Sequence, residues 1–178
     1  MAVKTFTSGE VLTASDTNTY LANAGLVHVK SQTIGTGVAS VTVTNAFNST
    51  YDNYFVQVSG GVGSTAQAIT FRLGASTASY YSALWYVVYA TAAGLASTVN
   101  NGSGWSAGES STNFNSVCIT IQNPNVAKFT HFTGGYMGTV GGWVSGYHGV
   151  ATAYTDFTIL VGGTMTGGTI DVYGYRKG

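Results

Sequence analysis

From Leu26 onward, apolar and polar residues alternate with a period of two, which is the pattern of half-buried β-strands. Tyr54, Val56 and Val58, for example, lie on the face opposite Phe55 and Gln57. The same alternation recurs in the segments 27–29, 41–43, 69–73, 117–121, 157–161 and 170–172. About eight to ten such strands leave no room for crossover helices. The pattern therefore predicts an all-β fold, an antiparallel two-sheet β-sandwich that is jelly-roll-like.

Two segments depart from this alternation. Residues 80–89 are almost uniformly apolar and aromatic, which predicts a strand buried on both faces. Residues 92–115 are polar and rich in Gly and Ser, and they form either a long loop or two short strands around a hairpin at Asn100-Asn101-Gly102. Paired glycines at 134–135 and 141–142 are interpreted as turns between strands.

The first 25 residues predict an arm that carries one short helix. Thr13 and Asp16 have the spacing of a capping box, and Gly25 is a plausible end of the helix. A helix of about ten residues is unstable alone, so we expect it to dock on another protein. The chain thus divides into an anchoring arm, residues 1–25, and a β-sandwich domain, residues 26–178. The apolar residues expected to carry the docking are Phe6, Val11, Leu12, Tyr20 and Leu21.

Charge is scarce in this chain. Its 178 residues include six Lys or Arg and six Asp or Glu, so 7% are charged, whereas about 25% is usual in soluble domains. Six scattered cations cannot support nucleic-acid binding, one Cys excludes a disulfide framework, and no apolar run has the length of a membrane helix. A surface with few charges is desolvated cheaply, which favours a subunit of a permanent assembly over a secreted polar β-domain.

The candidates for catalysis and metal binding are weak. Residues 104–108 match the G-x-S-x-G nucleophile elbow around Ser106, but their polar flanks predict neither the strand nor the helix that this motif requires. His28, His131 and His148 are too far apart in the sequence for a local metal motif. We therefore predict no enzymatic activity, no catalytic residue, no metal site and no cofactor.

Aromatic residues are the feature that exceeds the background. Most of them are expected to pack in the core, where each ring buries a large area. Trp105 lies in the polar segment and is expected to be exposed on a loop, where it would contact a ligand or a neighbouring subunit. Trp143 and Tyr147 are further candidates for such a contact, and a saccharide site is one interpretation of these rings.

Both ends of the chain resemble a known group of proteins. Residues 6–21, FTSGEVLTASDTNTYL, and residues 165–177, MTGGTIDVYGYRK, are similar to the opening and ending of structural proteins of tailed-bacteriophage virions. Residues 40–47 and 51–54 resemble the same family. Relatives often carry a longer fibrous stretch after the N-terminal motif, whereas here only Gly25 and Leu26 separate the helix from the first strand. That difference favours a compact knob close to its anchor.

The resemblance implies a virion structural protein that is not an enzyme. It would be a β-sandwich, often a trimer, attached to the capsid or tail through its N-terminal segment as a minor tail, fibre or capsid-decoration (head fibre) protein. Its partners would be other virion proteins and copies of itself, with no nucleic acid and no membrane insertion. It would be assembled in the cytoplasm of the host bacterium. The alternative is a host-receptor or carbohydrate-binding module at a tail tip, which would bind a host surface glycan through Trp105, Trp143 and Tyr147.

Overall fold

A computed structural model describes residues 5–17 and 25–176. In this part of the chain one short helix precedes 13 β-strands, and the strand pairings are antiparallel. The elements are α1 (Ala14–Asp16), β1 (Leu26–Thr33), β2 (Val38–Val43), β3 (Asn53–Ser59), β4 (Val62–Gly63), β5 (Gln67–Leu73), β6 (Tyr80–Val88), β7 (Ala93–Gly102), β8 (Trp105–Ser111), β9 (Phe114–Gln122), β10 (Thr130–Met137), β11 (Val140–His148), β12 (Phe157–Thr166) and β13 (Thr169–Tyr175). The prediction of an all-β, antiparallel, sandwich-like fold is confirmed.

The sheet forks at β9. Val117 of β9 pairs with Val58 of β3 on one side and with Gly108 of β8 on the other, while residues 118–122 of β9 pair with β10. Strands β8 and β10 therefore pair with different parts of the same edge of β9, and beyond it they diverge into two branches. One branch continues through β11 and β6 to β7, and the other continues through β5 and β12 to β2. Beyond β3 the sheet is extended by β13 and β1.

Aromatic rings join the two branches through the core. Phe71 of β5 stacks on Phe157 of β12 with 4.5 Å between ring centroids, and Trp105 of β8 stacks on Phe132 of β10 at 4.3 Å. Trp105 also stacks on Phe71 at 6.0 Å and meets Tyr80 of β6 edge to face at 5.3 Å. Because these rings come from both branches, the core holds the two halves of the forked sheet together.

The alternation of the sequence identifies the inward-facing positions correctly. The core includes the apolar residues predicted to face inward on six strands, namely Val41, Val43, Tyr54, Val56, Val58, Ile69, Phe71, Leu73, Val117, Ile119, Ile121, Phe157, Ile159, Val161, Ile170 and Val172. Their neighbours in the sequence are half-buried or exposed on most of these strands, as β3 shows. Successive side chains of a strand point to opposite faces of the sheet. On these strands the apolar residues of the alternation are therefore the buried ones.

Two predictions about irregular segments are corrected. Residues 80–88 form β6, but this strand is not buried on both faces, because Trp85 and Val87 are exposed. Of the two alternatives for the segment 92–115, the structure has strands, namely β7, β8 and the start of β9, rather than a long loop. Its Asn100-Asn101-Gly102 sequence makes a bulge in β7 instead of a hairpin turn, since the register with β6 shifts between Tyr80 and Ser82.

The glycine pairs at 134–135 and 141–142 were expected at turns, and they lie inside β10 and β11 instead. A Cβ added to Gly134 would lie 2.2 Å from the carbonyl oxygen of Cys118, and one added to Gly142 would lie 2.1 Å from that of Trp85. These positions need glycine because neighbouring backbone approaches them closely. Gly167 and Gly168, by contrast, have φ angles of 70° and 89° and do form the turn between β12 and β13.

The predicted capping box at the start of the arm's helix is confirmed. The Thr13 hydroxyl accepts a hydrogen bond of 3.1 Å from the Asp16 N–H, and the Asp16 carboxylate accepts one of 3.1 Å from the Thr13 N–H. The described helix extends from Ala14 to Asp16. The rest of the predicted helix, including Tyr20 and Leu21, lies outside the described residues.

Candidate functional site

The apolar residues of the arm that the structure describes are exposed. Val11 is 79% exposed, Leu12 is 49% exposed, and Phe6 is also exposed. Their exposure is compatible with the predicted docking role, which stays a prediction.

Trp105 is not the exposed loop residue that its sequence context suggested. Its side chain is fully buried at the start of β8, and its indole Nε1–H donates a hydrogen bond of 3.2 Å to the carbonyl oxygen of Tyr147. The polar neighbours that predicted a loop belong to a strand whose small side chains are themselves buried. Trp105 is therefore a core residue and does not belong to the candidate contact site.

Trp143 and Tyr147 are exposed, and the structure places both on the outer face of β11. Trp143 lies opposite Trp85 of β6 in the sheet register, and Tyr147 lies opposite Tyr81. The Tyr81 and Tyr147 rings stack at 4.8 Å with 12° between their planes. Four outward-facing rings from two neighbouring strands thus form one surface, called here the aromatic face: Tyr81, Trp85, Trp143 and Tyr147.

Small residues flank the two tryptophans of the aromatic face. Trp143 pairs with Gly135 on its β10 side, and Trp85 pairs with Ala96 on its β7 side. A shallow groove of about 670 Å³ lies here, lined by Trp85, Tyr86, Trp143, Val87, Leu95 and nearby small residues. Trp85 is 59% exposed and Trp143 is 55% exposed. These exposed rings beside small neighbours make an apolar surface that another protein could cover.

The strand β7 borders this surface and forms one end of the sheet path. Almost all of its residues are exposed, and the sequence has no charged residue between Arg72 and Glu109. Natural proteins usually protect such an edge with charges, proline or a covering segment, because its unpaired backbone groups can bind another chain. The edge and the aromatic face are therefore candidates for the same protein contact.

Ser106 of the G-x-S-x-G match lies inside β8, where it pairs with Thr70 of β5. A nucleophile elbow requires a sharp strand-to-helix turn, and β8 supplies no such turn. Gly108 has a packing role, because an added Cβ would lie 1.9 Å from the carbonyl oxygen of Ser116. Within residues 5–17 and 25–176, no group of three His, Cys, Asp or Glu side chains has an arrangement that could hold a metal ion.

Two of the three histidines are exposed on strand surfaces, and His148 is buried. Its ring stacks on Tyr80 at 4.3 Å. The Nδ1 atom lies 3.1 Å from the carbonyl oxygen of Ser79, which can only accept, so Nδ1 carries the proton. The Nε2 atom then accepts from the hydroxyl of Tyr154 at 2.8 Å. Neutral imidazole satisfies both contacts, so His148 is a structural residue of the core.

We expect His148 to make the fold less stable in mild acid. Burial lowers its pKa below 6.5, and the hydrogen bond to the Ser79 carbonyl opposes this only in part. The unfolded chain therefore binds more protons than the folded one as pH falls below about 6.5, so stability decreases by at most about 1.4 kcal/mol per pH unit until His148 itself protonates. Urea unfolding at pH 7.5 and pH 5 measures this loss, which should be smaller in His148→Gln.

The exposed His131 provides the control for this experiment. His131→Gln makes the same substitution at an exposed position and leaves the buried His148 in place. An identical pH dependence in His148→Gln and the wild type would contradict the assignment.

The sequence interpretation missed two features of potential function. Trp85 lies in a strand that the sequence predicts to be buried on both faces, yet it is exposed. Glu109 lies in a Gly- and Ser-rich run that carries no signal of burial, yet it is buried.

No helix in the described part of the chain combines the length and apolar character needed to cross a membrane. Comparison of the chain with protein-family models, with curated proteins and with solved structures finds no match.

Proposed function

We propose that this protein is a structural subunit of a tailed-bacteriophage virion. Its β-sandwich domain would be a compact knob that associates with copies of itself, with a trimer favoured, and its N-terminal arm would attach the knob to a capsid or tail protein. Two arguments support the proposal. One is the resemblance of both chain ends to virion structural proteins, and the other is the lack of charge on the exposed surface around β7.

The observation that carries the proposal is the uncharged, exposed surface around β7. The outer tryptophans Trp85 and Trp143 and the edge residue Leu95 are each about half exposed or more, and the segment that contains two of them has no charge. A single soluble domain normally avoids a long bare edge beside exposed rings, because it promotes association.

A second copy of the same chain is the occupant that we propose for this surface. The described part of the surface has no charge that would repel an identical surface, and its small polar side chains lose little on desolvation. A subunit with such a surface would be stable once assembled. In the virion it would act as a minor tail, fibre or head-decoration protein, assembled in the cytoplasm of the bacterial host.

Recognition of a host receptor or surface glycan remains the alternative. The favouring observation is that the Tyr147 ring lies nearly parallel to both Tyr81 and Phe129, with interplanar angles of 12° and 13°. Tyr147 and Phe129 are exposed, and exposed aromatic rings suit the flat apolar faces of sugars. Trp105 no longer belongs to this alternative because it is buried.

Attachment through the arm is tested by substituting Leu12 with aspartate. If Leu12 is buried against a virion protein, an unpaired carboxylate there would be strongly unfavourable, and we expect at least about tenfold fewer copies on each purified particle. The measurement is quantitative gel analysis of purified virions, which also gives the copy number. Hundreds of copies would indicate capsid decoration, and a handful would indicate a tail tip.

Ser8→Asp is the matched control, since it adds the same charge at an exposed polar position of the same arm. We expect it to be incorporated normally. Normal incorporation of Leu12→Asp would contradict docking through this residue, and absence of the wild-type protein from purified particles would contradict the whole proposal.

A further inference from the structure

Glu109 is a buried carboxylate in a chain with few charges. It lies on β8, is 5% exposed, and accepts two hydrogen bonds from Thr139, from the N–H at 3.0 Å and from the hydroxyl at 2.7 Å. A carboxylate has about four acceptor positions, so these bonds use about half of its capacity. Burying a carboxylate whose acceptor positions are incompletely used is costly. A further hydrogen-bond donor that reaches Glu109 would therefore stabilise it.

An open cleft is lined in part by Glu109. It lies where β8 and β10 diverge from β9, and its volume is about 300 Å³, at the lower end of the range for small-ligand sites. Strands from both branches contribute to its walls. The lining residues are Gln67, Ala68, Leu84, Tyr86, Ser97, Ser106, Glu109, Tyr136 and Val140.

Tyr136 interacts with two other polar residues of the cleft, Ser106 and Glu109. Burial raises the pKa of Tyr136, a side-chain hydrogen bond with Ser106 acts in the opposite direction, and the nearby Glu109 carboxylate raises it further. The Tyr136 hydroxyl therefore stays protonated at neutral pH and is available as a hydrogen-bond donor or acceptor. Leu84 and Val140 add apolar surface beside these groups.

We propose that this cleft binds one unit of a neutral saccharide. The Glu109 carboxylate would accept hydrogen bonds from two sugar hydroxyls, and the Gln67 amide and the hydroxyls of Ser97 and Tyr136 would bond to others. Leu84 and Val140 would contact the C–H groups of the sugar ring. This site is separate from the aromatic face, and it would give the subunit a ligand in addition to its proposed structural role.

The chemistry of the cleft favours a sugar over a charged ligand. An anion would be repelled by Glu109, since no Lys or Arg among residues 5–17 and 25–176 lines the cleft. An organic cation would gain from the carboxylate and from Tyr86 and Tyr136, but it would leave the serine hydroxyls and the Gln67 amide without partners. A polyhydroxyl ligand satisfies all of these groups, because each sugar hydroxyl both donates and accepts.

The experiment titrates the full chain, labelled at Leu and Val methyl groups, with the methyl glycosides of glucose, galactose, N-acetylglucosamine and rhamnose. We expect at least one glycoside to shift the NMR signals of Leu84 and Val140 and to leave Val87, on the outer face, unshifted. Glu109→Gln should weaken this binding about tenfold or more, because it replaces a charged acceptor with a neutral amide. Glu10→Gln, the same substitution in the arm, should leave the affinity unchanged.

Tyr136→Phe keeps the ring and removes only the hydroxyl, so it tests the site even if Glu109→Gln fails to fold. We expect it to weaken binding about threefold. The proposal is overturned if none of the glycosides binds, if the shifts occur at Val87 instead of Leu84 and Val140, or if tetramethylammonium chloride shifts the cleft signals and the glycosides do not. These outcomes are independent of incorporation into particles, which tests the structural role separately.

Discussion

Replacing Trp105 by alanine should lower the free energy of unfolding by about 3–5 kcal/mol, as large-to-small substitutions of buried aromatic residues do. The Trp105 ring is fully buried and contacts Phe71 on one branch of the sheet and Phe132 and Tyr80 on the other. Its loss would leave a cavity where the two branches diverge and would free the carbonyl of Tyr147, which accepts from the indole. A typical domain has a total stability of about 5–15 kcal/mol, so much of it would be lost.

Trp143 supplies the matched control, since it is the same residue type and 55% exposed. Trp143→Ala should change the unfolding free energy by no more than about 0.5 kcal/mol. Urea unfolding followed by circular dichroism measures both variants, at a protein concentration low enough to minimise any contribution from self-association. Equal stability of Trp105→Ala and the wild type would contradict the core assignment of Trp105.

The interior of the sandwich could be predicted because strand geometry is local. Two residues separated by one position face the same way, so the alternation at Tyr54, Val56 and Val58 identified buried positions without knowledge of the partner strands. The capping box was predictable for the same reason, because Thr13 and Asp16 bond to each other across three residues.

Trp105 shows where local reasoning fails. Its neighbours are Gly, Ser and Asn, which are typical of loops, but small side chains also let strands pack closely where a sheet forks. The error at residues 80–89 is the converse. An apolar strand predicts that its side chains pack against other apolar groups. The sequence does not distinguish packing in the core of the same chain from an exposed apolar surface such as that formed by Trp85.

Glu109 was beyond sequence reasoning for a different reason. Its burial depends on Thr139, which comes 30 residues later in the β10–β11 connection and donates both of the hydrogen bonds that the carboxylate accepts. Nothing near Glu109 in the sequence indicates this partner. A non-local pairing of this kind becomes visible only when the path of the strands is known.

Self-association through β7 and the aromatic face should be abolished by a single lysine at Leu95. If a second copy covers this edge, the lysine would be buried without a partner in each subunit, a strongly unfavourable arrangement. We expect association to weaken about a hundredfold or more, so that a wild-type trimer becomes a monomer. Sedimentation equilibrium over a range of concentrations measures the change, and Trp85→Lys on the adjoining face should act in the same way.

Val62→Lys is the control, because Val62 is also exposed and apolar but lies on β4, which pairs with β12 in the other branch of the sheet. This variant should keep the oligomeric state of the wild-type protein, since its lysine stays in solvent. Circular dichroism of Leu95→Lys should match that of the wild type, because Leu95 is half exposed on the final strand of its branch. An interface at β7 would be contradicted if the wild-type protein is monomeric at every concentration. It would also be contradicted if Val62→Lys weakens association as much as Leu95→Lys, because a lysine should disrupt association only where the interface buries it.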